Sequence, residues 1–196
     1  TYKTTIGDDS CHACDPGSYS SELGATSAAI CLSCPRNAVS PSASTTLQDC
    51  MCPMGYEGAS GADCTECVTG TYKDAVGDGG CSICPTGKYS DTPGASNCSN
   101  CPVHTSTSPS GGGKSISDCL CIPGYEQTNA STCTACSSGI YSSEVGMAPC
   151  SPCPAANMIS PTACTRPQDC SCASGYTGNY IFGCHLNTAT TTMITT

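Results

Sequence analysis

The stretch Cys81-Ser82-Ile83-Cys84-Pro85-Thr86-Gly87-Lys88-Tyr89-Ser90, with Cys98 and Cys101 behind it, decides how this chain is read. A cysteine opens a loop, a tyrosine follows five residues on, and another cysteine stands nine residues after that. The frame occurs at Cys67, Tyr72 and Cys81, at Cys84, Tyr89 and Cys98, and at Cys136, Tyr141 and Cys150; with three extra residues it occurs at Cys14, Tyr19 and Cys31. A second kind of loop is a polar segment of 15 to 17 residues closed by Cys-x-Cys and followed by Gly-Tyr and one more Cys. Its copies are Cys34, Cys50, Cys52, Gly55-Tyr56 and Cys64; Cys101, Cys119, Cys121, Gly124-Tyr125 and Cys133; and Cys153, Cys170, Cys172, Gly175-Tyr176 and Cys184. Fixed-period self-similarity of this kind marks a repeat architecture.

Composition agrees with the spacing. Cysteine makes up 22 of 196 residues, above the roughly 8–10% that signals a disulfide scaffold. The usual core formers are scarce: five Val, nine Ile, five Leu and one Phe, with no Trp. So few large apolar residues cannot offset a backbone entropy cost of roughly 1–2 kcal/mol per residue, so covalent crosslinks or metals must replace the core. A Rossmann fold, a helical bundle and other α/β enzyme domains are excluded on that ground. The net charge of −9 argues against nucleic acid and anionic membrane surfaces as partners. No apolar run reaches 18 residues, so no membrane insertion of this segment is expected.

Eight of the nine tyrosines sit at the fixed offsets, and only Tyr180 does not. A ring with a polar tip suits a half-wet site beside a disulfide, so these are read as packing residues. Glycines before most of them suit tight turns with positive φ. Short runs at 70–73, 87–90, 139–142 and 175–179 are expected to form two-stranded hairpins. Residues 187–196, Thr-rich and without Cys, read as a linker, a disordered end or a glycosylated stalk. Thr1-Tyr2-Lys3 before Cys11 repeats Thr71-Tyr72-Lys73 before Cys81, so the partner of Cys11 is expected upstream of Thr1.

Cys-x-x-Cys pairs about 16 residues apart, as in Cys11/Cys14 and Cys31/Cys34, also match a zinc ribbon. The acidic balance, the repeated Cys-x-Cys and the unrepeated positions of His12, His104 and His185 favour disulfides over zinc. A loop of about 15 residues closed by a disulfide contributes roughly 3 kcal/mol in the chain-entropy model. Such crosslinks persist in secreted or cell-surface settings. Asn97 and Asn129 head N-glycosylation sequons that fit the same compartment.

The run from Cys81 through Cys98, Cys101-Pro102, Cys119-x-Cys121 and Gly124-Tyr125 to Cys133 resembles the cysteine-rich EGF-like region of Ephrin receptors and the related GCC2/GCC3 repeats. It resembles tumour-necrosis-factor-receptor repeats more loosely. The resemblance covers residues 1–184 and implies a small disulfide-rich fold: an elongated tandem array of EGF-like modules with short β-hairpins and little or no helix. The implied organisation is a truncated loop at 1–13, modules at 14–64, 84–133 and 136–184, a linking loop at 65–83, and a tail at 185–196. Carried over by position, the EGF-like pairing implies Cys14–Cys34, Cys31–Cys50 and Cys52–Cys64; Cys84–Cys101, Cys98–Cys119 and Cys121–Cys133; Cys136–Cys153, Cys150–Cys170 and Cys172–Cys184. Cys67 and Cys81 close the linking loop. Closure of successive loops, such as Cys84–Cys98 and Cys101–Cys119, is the alternative, because spacing alone leaves connectivity open. Either scheme leaves Cys11 and Cys164 unpaired or interchain.

Sites of chemistry are few. Gly111-Gly112-Gly113-Lys114-Ser115 has the end of a phosphate-binding loop, but Ser108 stands where the first glycine is required, so it reads as a flexible loop. No nucleophile elbow or His-Glu-x-x-His occurs, and the segments before Cys14, Cys84 and Cys136 lack the acidic motif of calcium-binding EGF modules. No enzyme activity, cofactor or metal is expected. With two residues between Cys64 and Cys67 and between Cys133 and Cys136, the modules should form a stiff rod. The first functional expectation is a structural extracellular glycoprotein of a filament, appendage or surface coat, self-associating or contacting other extracellular proteins. Ser-Pro and Thr-rich loops at 40–46 and 106–110 would carry glycans. The alternative is a ligand-binding or spacer segment of a receptor or adhesion ectodomain.

Overall fold

Each opening cysteine is followed by a turn whose third residue is left-handed. Gly17, Gly55, Gly70, Gly87, Gly124, Gly139 and Gly175 hold φ between 79° and 89°, and Asn37, His104 and Asn157 hold φ of 60°, 61° and 63° at the equivalent places. Glycine takes this region without strain, and Asn and His are among the side chains that tolerate it. The turns close by i to i+3 bonds, for example Tyr56 N–H to the Pro53 carbonyl (3.1 Å) and Lys88 N–H to that of Pro85 (3.0 Å).

The computed structural model describes residues 1–4, 7, 10–129 and 132–187. Ten disulfides close consecutive loops: Cys14–Cys31 (loop 1), Cys34–Cys50 (2), Cys52–Cys64 (3), Cys67–Cys81 (4), Cys84–Cys98 (5), Cys101–Cys119 (6), Cys121–Cys133 (7), Cys136–Cys150 (8), Cys153–Cys170 (9) and Cys172–Cys184 (10). In each loop the chain leaving the turn pairs antiparallel with the residues at or just after the closing cysteine. Examples are Ser18–Tyr19 with Leu32–Ser33, Thr71–Tyr72 with Ser82–Ile83, Lys88–Tyr89 with Ser99–Asn100, Ile140–Tyr141 with Ser151–Pro152, and Tyr176–Asn179 with Gly183–Leu186. Loop 2 makes a single bridge, Val39 to Met51. The four expected hairpins are therefore present, and no α-helix occurs among the described residues. Single-turn 3-10 segments at Ala28–Ile30, Leu47–Asp49, Ile116–Asp118 and Pro167–Asp169 precede the closing cysteines of loops 1, 2, 6 and 9. They account for the extra length of these loops, whose cysteines are 16 to 18 residues apart against 14 in loops 4, 5 and 8.

The crossed pairing implied by the EGF resemblance is corrected. Cys14–Cys34, Cys31–Cys50, Cys84–Cys101, Cys98–Cys119, Cys136–Cys153 and Cys150–Cys170 do not form. The hairpin register is the reason. The Tyr19 to Leu32 pair returns the chain beside the turn and brings Cys31 to Cys14, while Cys34 N–H bonds the Gly17 carbonyl at 2.9 Å and its sulfur joins Cys50 in the next loop. Cys52–Cys64, Cys121–Cys133, Cys172–Cys184 and Cys67–Cys81 are common to both schemes.

Two compact units contain these loops: Thr1–Asn100 with Pro109–Asp118, and Cys101–Ser108 with the chain from Cys119 onward. Within each unit the same backbone bonds join one loop to the next. In the first unit, Cys84 N–H reaches the Gly70 carbonyl (2.9 Å), Gly70 N–H that of Ser90 (2.8 Å), Lys73 N–H that of Ala95 (3.1 Å) and Gly94 N–H that of Cys67 (2.8 Å). Loops 1 and 2 repeat the set through Cys34 to Gly17, Gly17 to Ser40, Ser20 to Ser44 and Ala43 to Cys14. In the second unit, Cys153 to Gly139, Ser142 to Cys164 and Ala163 to Cys136 do the same.

The interior is sulfur and hydroxyl. Among the described residues the buried apolar side chains are ten cysteines and Met158, with no Val, Leu, Ile or Phe. Ser20, Ser40, Ser90 and Thr107 are buried six residues after their opening cysteines, and Ser160 is buried seven after Cys153. Their hydroxyls serve neighbouring backbone: Ser40 Oγ donates to the Ser18 carbonyl (3.0 Å) and Ser160 Oγ to that of Ile140 (3.1 Å). The tyrosines at the fixed offsets are half-buried.

Loop packing is tightest at the turn glycines. A Cβ on Gly55 would lie 2.0 Å from the Gly94 carbonyl oxygen, and one on Gly124 2.4 Å from that of Ala163, whereas Gly17 has nothing within 4 Å. Gly17→Ala should then cost about 1–2 kcal/mol, the penalty of a left-handed residue with a side chain. Gly55→Ala and Gly124→Ala should each cost clearly more, since backbone must move. Thermal midpoints of the oxidised variants check this, and equal losses at the three sites would contradict the packing.

Candidate functional site

The side chains that work hardest lie where loops meet. Glu57 and Glu126 follow the Gly-Tyr of loops 3 and 7, and each carboxylate accepts the N–H of the cysteine that closes the following loop: Cys81 at 2.8 Å and Cys150 at 2.9 Å. In loop 10 the same position is Thr177. Lys73, buried at 7% exposure, donates its ammonium to the carbonyls of Tyr56 (2.8 Å), Cys52 (3.3 Å) and Gly77. Carbonyls around a lysine satisfy its three donors without a buried counter-ion. Asp78, whose carboxylate takes the Ser60 hydroxyl and N–H, is held below its usual pKa by the hydroxyl bond first, the backbone bond second, and more weakly by the Lys73 charge.

Aspartates just before the Cys-x-Cys closures serve as caps. Asp49 Oδ2 accepts the N–H groups of Thr45 and Thr46, both at 2.8 Å. Asp118 Oδ2 accepts those of Lys114 (2.6 Å) and Ser115 (3.1 Å), and Asp169 pairs with Arg166 at 3.1 Å. Bonding to the Thr46 and then the Thr45 N–H lowers the Asp49 pKa, while the hydrogen bond and then the charge of Asp169 raise that of Arg166. Reading the chain for cysteines alone misses these residues. The repeated Asp-Cys-x-Cys at 49–52, 118–121 and 169–172 is the signal that could have found them.

The glycine run at 111–115 is not the flexible loop expected. Gly112 N–H is bonded to the Cys84 carbonyl, Ser90 N–H to that of Gly113, and a Cβ on Gly111 would fall 2.3 Å from the Cys84 oxygen. With the Lys114 and Ser115 amides on Asp118, the amides that would cradle a phosphate serve the fold instead.

Two thiols are free. Cys11 is exposed, and Cys164 is buried with its Sγ 3.5 Å from the Arg166 carbonyl. The carbonyl of Cys164 takes the Ser142 N–H just as that of Ser44 takes the Ser20 N–H. Cys164 thus fills the place of a small buried residue, and of the two expected alternatives, unpaired or interchain, it is unpaired. Among the described residues no group of three His, Cys, Asp or Glu is placed to hold a metal. Asn97 and Asn129 are both exposed; Asn97 adjoins the closing cysteine of loop 5, and Asn129 ends a strand of loop 7 and accepts the Thr132 hydroxyl. The Thr-rich tail from residue 188 lies outside the described residues.

Residues 55–97 and 77–119 match the family model described as tyrosine-protein kinase ephrin type A/B receptor-like. A 63-residue stretch, 30% of this chain, is 41% identical to Sushi, von Willebrand factor type A, EGF and pentraxin domain-containing protein 1 of Mus musculus, covering 2% of that protein. The Rattus norvegicus counterpart matches equally, and Ephrin type-B receptor 6 of Homo sapiens is 40% identical over 63 residues, 31% of this chain and 6% of the receptor. The chain therefore spans a few per cent of the length of the relatives it matches. These repeats are ephrin-receptor-like and disulfide-rich, and with ten disulfides they place the chain outside the cell or at its surface.

Alkylation of the native 196-residue chain should label Cys11 alone; unfolding without reductant should add Cys164, and a chelator should change neither count. A second label on the native chain would contradict burial of Cys164. Acid provides another check. A depressed folded pKa stabilises above the ordinary Asp value near 3.8 and is lost as pH falls through the lower folded value, so Asp49→Asn should lower the pH 7 melting point and flatten the loss below that pH.

Proposed function

We propose that this chain is a non-catalytic spacer and protein-contact segment of an extracellular receptor or adhesion protein. The observation that carries the reading is the repeated junction: one set of backbone bonds joins loop to loop through closed disulfides, and this sets the position of each neighbour within its unit. Such a scaffold presents variable side chains on a fixed backbone, which suits contact and spacing rather than chemistry. The likeness to Ephrin type-B receptor 6, a receptor by name, supports the same reading. Loops 1–3, 5–7 and 8–10, at 14–64, 84–133 and 136–184, are the proposed modules, with loop 4 between the first two. Glycans at Asn97 and Asn129 are part of the proposal, with lower occupancy at Asn97 because closure of Cys84–Cys98 restricts its backbone.

Self-assembly into a filament or coat is the competing outcome, and solution behaviour separates the two. The purified glycosylated chain should sediment as a monomer at micromolar concentration and show no ordered polymer by electron microscopy. Regular fibres with a repeat on the scale of a few loops would overturn the spacer reading in favour of a structural polymer.

A further inference from the structure

We propose that the tip of the loop 10 hairpin, Tyr180-Ile181-Phe182, contacts the neutral interface of a lipid membrane. These side chains are 39%, 65% and 75% exposed, and they form the one run of three consecutive exposed large hydrophobics among the described residues. Leu186, further along the same hairpin, is 68% exposed. Other exposed apolar side chains, such as Leu23 and Val103, stand singly, as is ordinary on a protein surface.

The tip is held in shape. Asn179 Oδ1 accepts the N–H groups of Ile181 and Phe182, both at 3.0 Å. Gly178 faces the Gly183 carbonyl so closely that a Cβ would fall 1.9 Å from it, and Cys172–Cys184 closes the base. A preformed tip has little ordering entropy left to lose on contact. The equivalent tip of loop 3 is different: it is small and polar, and Ser60 on it is bonded to Asp78 of loop 4. Loop 10 also lacks the glutamate found after Gly-Tyr in loops 3 and 7.

Charge selects the partner. The chain carries six Lys and Arg and 15 Asp and Glu, yet from Ser171 to the end of the sequence there is none of them, and with Cys172 and Cys184 joined in a disulfide His185 is the only ionisable side chain besides the tyrosines. An otherwise acidic protein therefore presents an uncharged, apolar, amphipathic point. Tyrosine and phenylalanine with an aliphatic neighbour suit the headgroup boundary, where ring faces meet acyl chain and the phenol stays wet. A projecting point of three side chains is small beside the roughly 800 Å² per partner of a stable protein interface. Contact at this depth does not span the bilayer. The inference goes beyond the spacer reading and does not need it.

The absence of tryptophan makes the test direct, because Phe182→Trp creates a single reporter. Its emission should shift to the blue on addition of phosphatidylcholine vesicles, and less so as phosphatidylserine is mixed in. The double variant Ile181→Ser with Phe182→Ser should lose vesicle co-sedimentation by about tenfold or more while keeping its melting point, as expected for exposed residues. Emission unmoved by vesicles would overturn the proposal. So would a blue shift that follows protein concentration without lipid together with a dimer in the ultracentrifuge, which would assign the tip to a second copy of the chain.

Discussion

The left-handed turn after each opening cysteine is the constraint on which the rest depends. It reverses the chain so that the hairpin closes beside it, and its carbonyl takes the N–H of the next opening cysteine, as Gly70 does for Cys84 and Gly139 for Cys153. One backbone conformation thereby decides both which sulfurs meet within a loop and where the next loop begins. Glycine dominates the position because the left-handed φ of 79° to 89° carries no steric penalty for it, and at some turns a neighbouring carbonyl also leaves no room for a Cβ. At Gly55 and Gly124 a side chain would meet backbone rather than a movable side chain, and no rotamer change relieves that contact.

This constraint also explains how so little apolar matter folds. A core works by exchanging buried area for conformational entropy, and among the described residues no aliphatic branched side chain is buried. Crosslinking lowers the entropy of the unfolded chain in small independent loops, and short hydroxyl side chains fill what remains while satisfying backbone oxygens, as Ser40 and Ser160 do. Lys73 shows how far the substitution goes: a charged chain occupies an interior place that serine takes in loops 1, 2 and 5, because the turns supply a ring of carbonyls.

Much of this was legible in the sequence, because spacing carries the register. The regular offset of Tyr from Cys located the hairpins, and the scarcity of Val, Leu, Ile and Phe foretold a disulfide scaffold. Connectivity was not legible, since only two residues separate Cys31 from Cys34 and either could reach Cys14 by length; the hairpin register decides between them, and register depends on hydrogen bonds that composition does not report. The junction residues escaped notice for a related reason. Glu57, Glu126, Asp49 and Asp118 act on backbone N–H groups, so nothing in a search for paired catalytic or metal-binding side chains points to them. The sequence left Cys164 free or interchain because a thiol allows either; the site asks only for a small buried residue, as Ser44 shows in loop 2.

A framework made from backbone and sulfur leaves its outward side chains almost unconstrained. About 40% identity over 63 residues with otherwise different proteins is what such a division predicts, because cysteines, turn glycines and junction residues are held by the fold and the rest can drift. Surface function must then be sought where an outward position departs from what the framework asks of it. Loops 3 and 7 put a glutamate after Gly-Tyr and commit that face to the loop that follows; loop 10 puts threonine there, removes every Lys, Arg, Asp and Glu from its hairpin, and places aromatic and aliphatic side chains at a tip held rigid by Asn179. Several independent changes in one loop, none required by the disulfide scheme and all toward an uncharged exposed surface, are better explained by contact with something outside the chain than by the stability of the loop itself.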